Sequence, residues 1–97
     1  MEKFSYIPIS EQYNNEDFIE ALKSSDLVLM KKLLDSGKDI EMQDSYGRTP
    51  LMISSLFNLV ESTRFLILNG ANIETKDFDG ETALVYAVRN VCIEVVE

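Results

Sequence analysis

The sequence predicts an all-α fold, a solenoid of helix–loop–helix units joined by short β-hairpin or turn fingers. Three observations predict it. A 33-residue period runs through the chain: Asp44, Gly47, Thr49 and Leu51 recur as Asp77, Gly80, Thr82 and Leu84, and Leu33, Gly37, Ile40 and Glu41 recur as Leu66, Gly70, Ile73 and Glu74. Each repeat of Asp and Gly is followed two residues later by Thr, a turn signal leading into a helix start. Ser36-Gly37 and Asn69-Gly70 then close a second helical segment.

The elements follow in order. Residues 1–12 form a leader whose Phe4-Ser5-Tyr6-Ile7-Pro8-Ile9 is apolar for a terminus. It is expected to lie extended against the first unit, or to serve as a docking peptide. The first unit, 13–45, has Glu16-Asp17-Phe18 where the second has Thr49-Pro50-Leu51. Asn15 is its expected N-cap, with Glu16 and Asp17 at the positive end of the helix dipole. Divergence suits a capping unit, because its outer face meets water.

The second unit, 46–78, is the most complete. Thr49 caps a short helix with Pro50 at its first position, where a missing N–H costs nothing. The helix runs through Leu51–Phe57, with Phe57 turned to the core. After a break near Asn58, Val60–Leu68 carries a second helix with Leu66 and Ile67 on its buried side. The third unit, 79–97, opens with Asp79-Gly80-Glu81-Thr82-Ala83-Leu84, and Asn90-Val91-Cys92-Ile93-Glu94-Val95-Val96-Glu97 reads as the start of its second helix. Phe65, Leu66, Ile93, Val95 and Val96 are expected to be half covered there. Two explanations stay open: the chain is a piece of a longer array, or another chain, a copy of itself or a partner, covers the edge.

Gly47-Arg48-Thr49-Pro50-Leu51, closed by Leu66-Ile67-Leu68-Asn69-Gly70-Ala71-Asn72-Ile73, resembles one complete ankyrin repeat. The resemblance extends from about Tyr13 to Glu97 and amounts to about two and a half repeats. It departs from the family at Met52 and Val85, which stand where the family has a histidine bonded back to the Thr hydroxyl. That network is expected to be absent, at about 1 kcal/mol for each lost hydrogen bond.

Composition excludes several function classes. The chain has no histidine and a single cysteine, Cys92, which leaves no histidine-based acid–base chemistry, no internal disulfide and no Cys/His metal spacing. Cys92 is expected to be buried and inert. Asp77, Asp79 and Glu81 lack the ligand spacing of a calcium loop and read as turn carboxylates. No enzyme activity, cofactor or metal is expected. A net charge of −8 repels nucleic acid and anionic membranes and suits a basic partner. The cytoplasm is the expected location, with export by a non-standard signal left open.

The resemblance implies a protein–protein interaction module whose partner lies on the concave side, on hairpin tips and inner helices. By position the tips present Gln43, Ser45, Tyr46 and Arg48, then Lys76, Phe78, Asp79 and Glu81; the inner helices add Met52, Leu56, Phe57 and Arg89. Tyr46, Phe78 and Arg48 stand out, because aromatics and Arg dominate binding hot spots. Three functional classes fit: a scaffold, a dedicated inhibitor or immunity protein for a basic toxin or enzyme, and the binding part of a larger effector. Self-association through the incomplete third unit is a further expectation.

Overall fold

The structure, a computed structural model, describes the backbone of residues 15–96 and the side chains of residues 16–90. Five helices follow one another: α1 (Asn15–Lys23), α2 (Leu27–Asp35), α3 (Pro50–Leu56), α4 (Val60–Leu68) and α5 (Ala83–Val96). The first helices of the units, α1, α3 and α5, pack side by side, α2 folds back on α1, and α4 folds back on α3. The fold is the all-α repeat architecture that the period predicts.

Local chemistry explains each start and stop. The Asp26 carboxylate accepts the Leu29 N–H at 3.1 Å and caps α2. Thr49, ahead of Pro50, caps α3 by accepting the Met52 N–H at 3.3 Å. α4 ends on a Schellman arrangement, with Gly70 N–H on the Ile67 carbonyl and Ala71 N–H on the Leu66 carbonyl. Gly37 and Lys38 repeat it one period earlier, on Leu34 and Leu33.

Between the helices lie the fingers, which are tight turns; no strand forms among the described residues. In the first, the Asp44 carboxylate accepts the N–H groups of Tyr46 and Arg48 at 2.9 and 2.8 Å. In the second, Asp77 does the same for Asp79 and Glu81, at the same two distances. The short carboxylate thus supplies the acceptors that a ladder would have supplied.

The core draws on every helix: Phe18, Ala21 and Leu22 of α1, Met30 and Leu33 of α2, Leu51, Met52 and Ile53 of α3, Leu66 of α4, and Ala83 and Tyr86 of α5. Polar bonds cross it as well. Ser62 of α4 is fully buried and its hydroxyl donates to the Leu22 carbonyl at 2.5 Å, tying the second unit to the first. Thr63 donates to Ser54 at 2.8 Å and fastens α4 to α3. The buried Lys38 ammonium has no hydrogen-bond partner among the described residues; burial draws its pKa below the ordinary lysine value, against the opposing charge of Asp17.

Several expectations are corrected. At Thr49 a different contact stands at the histidine position: the Met52 sulfur accepts the Thr49 backbone N–H at 3.4 Å, completing a capping box, while the hydroxyl accepts only the Met52 N–H among the described residues. Phe57 does not face the core. It is exposed, because the helix ends there, and its ring lies 5.1 Å from the Lys23 ammonium. Leu66 is fully buried, neither half covered nor paired inward with Ile67, which is 49% exposed.

The third unit shows the largest difference. Its helix runs unbroken from Ala83 to Val96, where a second helix was expected to begin near Asn90. The reason lies at one repeated position. Ser25 and Asn58, one period apart, take φ of 56° and 57° and let the chain double back between paired helices. The next position in the series is Val91, and a β-branched residue is a poor occupant of positive φ. The helix therefore continues through it. The leader, the capping by Asn15 and the settings of Cys92, Ile93, Val95 and Val96 lie outside the described residues or side chains.

Candidate binding surface

The two fingers stand against each other. Phe78 N–H donates to the Tyr46 carbonyl at 3.2 Å, and Gln43 Nε2 donates to Gly47 O at 2.8 Å and to Lys76 O at 3.4 Å. Below them, Glu41 accepts from the Asn72 N–H at 2.6 Å and the Thr75 hydroxyl at 2.9 Å. Gly47 sits at φ +82° directly beneath the Phe78 ring; a Cβ there would lie 2.5 Å from Phe78 Cδ1. The tips are therefore braced, and their aromatic faces still meet solvent, Tyr46 at 67% and Phe78 at 70% exposure.

Both arginines of the surface are held in place. Arg48 Nε bonds Asp44 Oδ2 at 2.7 Å, and its guanidinium lies 5.0 Å from the Tyr46 ring. Arg89 bonds Glu81 Oε2 at 2.7 Å and lies 5.4 Å from the Tyr86 ring. A preset guanidinium loses less freedom when a partner arrives.

Of the residues expected on this surface, Gln43, Ser45, Tyr46, Lys76, Phe78, Asp79 and Arg89 are exposed, and Arg48 and Glu81 are half-buried beside them. Met52 is not on it: it is 1% exposed and spends its sulfur on the Thr49 cap. Leu56 is half-buried against the core. Sequence reasoning missed α1. Glu16, Ile19, Glu20 and Lys23 line a hollow of ≈ 490 Å³ together with Asp44 and Arg48 of the first finger. Their i, i+3, i+4 and i+7 spacing places them on one helix face and was the available signal.

The carboxylates at the finger bases are tuned by their donors. Burial pushes Asp44 up, but the N–H and guanidinium of Arg48 and the N–H of Tyr46 outweigh it, so its pKa lies below the usual value. Asp77 is also lowered, first by the Tyr86 hydroxyl, which donates to Oδ2, then by the Glu81 N–H. Tyr86 moves the other way: burial, then its bond to Asp77, raise its pKa to about 12. A folded-state pKa above the free value of ~10 contributes stability that is complete below that pH and declines as pH rises toward the folded value. Denaturation of the wild type should therefore show a loss of stability between pH ~10 and about 12 that is smaller in Tyr86→Phe. Identical slopes for the two proteins would contradict the assignment.

Among the described residues no cluster of His, Cys, Asp or Glu is gathered for a metal, and no helix is long and apolar enough to cross a membrane.

Comparison with known proteins agrees with the architecture. A family model described as "Ankyrin repeats (3 copies)" matches residues 18–97. The protein named "Ankyrin repeat, SAM and basic leucine zipper domain-containing protein 1" is similar in many mammals. The chain is 40% identical over 80 residues to that of Mustela putorius furo, covering 82% of this chain and 17% of the relative. It is 41% identical over 81 residues to that of Mus musculus and 42% over 81 residues to that of Oryctolagus cuniculus, each covering 84% of this chain and 16% of the relative. The chain thus spans about a sixth of the length of the curated relatives it matches.

Proposed function

The chain belongs to the ankyrin-repeat family, whose repeats are generally protein–protein interaction modules, and from that premise we propose that it grips a protein partner with its braced fingers and the adjoining face of α1 and α3. The observation that carries this reading is the pair of exposed aromatic rings, Tyr46 and Phe78, on neighbouring tips joined by the Phe78 N–H bond. An aromatic ring held out to water on a fixed backbone brings large contact area at small entropic cost. Gln43, Ser45, Arg48, Lys76, Asp79, Glu81 and Arg89 supply the polar rim.

The partner presents a basic surface. The net charge of −8 supports this, as do the carboxylates of Glu16 and Glu20 on the α1 side of the hollow, where Lys23 is the basic neighbour and Arg48 is already paired with Asp44. A dedicated inhibitor of a basic enzyme or toxin is the second reading, favoured by the same charge. The action is that of a non-catalytic binder working in the cytoplasm, built from a leader over 1–12 and repeat units over 13–45, 46–78 and 79–97.

Tyr46→Ala and Phe78→Ala should each weaken the partner complex by more than ~1 kcal/mol while leaving the helical circular dichroism unchanged. Titration calorimetry against the partner captured by the wild type measures this. Normal binding by both variants would place the site elsewhere. A scaffold and an inhibitor then separate by what is captured: several partners for the first, and one tightly held basic enzyme for the second.

A further inference from the structure

A second face of the molecule is open. Val60, Ile67, Leu68, Ile73 and Leu84 are all exposed. They border two adjoining hollows of ≈ 440 and ≈ 450 Å³ between α3, α4 and α5, which share Ser55, Thr63, Ile67 and Ala87.

One period earlier the same face is covered. Leu22 and Met30 stand 33 residues before Ser55 and Thr63, and both are fully buried. What covers them is the second unit, whose Ser62 on α4 reaches the Leu22 carbonyl. The hollows therefore continue an interface already present inside the molecule, and the element that fits them is a helix in the register of α4. The residues one period beyond the start of α4 are those that follow Val91.

Filling the hollows from the same chain requires a doubling-back at Val91, where Ser25 and Asn58 take positive φ in the preceding units. Val91 instead sits inside the unbroken α5, so the backbone makes no such doubling-back there. We propose that two copies of the chain exchange this segment: α5 of one copy delivers the residues after Val91 into the α3–α4 face of the other, and the exchange is reciprocal. A swapped interface reuses the contacts of the closed form and is an established low-cost route to a dimer when a hinge straightens. The face differs from the finger surface, so a failure here and a failure of partner binding are told apart.

Sedimentation equilibrium over a wide concentration range tests it. The wild type is expected to form a dimer. Val91→Gly, which permits the turn, should raise the dimer dissociation constant by about tenfold or more. Val91→Ala, which keeps the helix, should remain dimeric, and Ile67→Glu, on the exposed wall, should abolish the dimer with circular dichroism unchanged. A wild type that is monomeric throughout overturns the proposal. So does a dimer that persists in Val91→Gly or Ile67→Glu, or one lost equally in Val91→Ala and Val91→Gly.

Discussion

Gly47→Ala is expected to lower the free energy of unfolding by about 3 kcal/mol, against about 1 kcal/mol for Gly80→Ala. The two glycines are one period apart and share φ of +82°, so each substitution carries the same backbone strain. They differ in what lies above them. A Cβ on Gly47 would meet Phe78 Cδ1 at 2.5 Å and the Phe78 backbone nitrogen at 2.7 Å, whereas none of the described residues lies within 4 Å of one on Gly80. The ring can rotate aside; the nitrogen cannot move without loosening its bond to the Tyr46 carbonyl. Urea denaturation of both variants measures the difference. Equal losses would mean that the close approach of the fingers contributes nothing to stability.

Leu66→Ala should cost about 3 to 4 kcal/mol, a large share of what a small domain possesses. Leu66 is fully buried where α4 meets the rest of the core, and its carbonyl also receives Ala71 N–H at the end of the helix. Truncation leaves a cavity in a core to which every helix contributes, so collapse cannot easily fill it. Ile67→Ala, one residue on and half exposed, should cost less than about 1 kcal/mol. Thermal melts of the pair decide it: similar shifts would contradict the placement of these two side chains.

Leu66 and Ile67 also show how far the sequence could be read. Both are apolar and adjacent, and the sequence assigned both to the core; only the stacking of units decides that one joins the core while the other looks onto an uncovered face. The period, the Thr49 cap, the Gly70 stop and the Asp44 and Asp77 turns were legible because each rests on chemistry within a few residues. Met52 was misplaced on the binding surface because its buried task, a sulfur acceptor for the Thr49 N–H, is one that neither its propensity nor its place in the repeat signals. The hollow beside α1 went unread because its walls come from a helix and a finger more than 20 residues apart, Lys23 and Asp44 among them. Val91 had the opposite fault: the clue was local, but it emerges only when Ser25 and Asn58 are seen to share one backbone geometry.

The finger turns have a consequence for how such a chain changes over time. Within each turn Asp44 and Asp77 bind backbone N–H groups, those of Tyr46 and Arg48 in one and of Asp79 and Glu81 in the other, and the side chains that add to this are those of Arg48 and Tyr86. The side chains of Ser45, Tyr46 and Asp79 therefore carry no part of the turn and stand in solvent. Substitution at these positions can redraw the surface offered to a partner while the Asp and Gly beneath keep the loop's shape. Specificity and foldability are thus written in separate residues, and a lineage can explore new partners through single replacements that the solenoid scarcely registers.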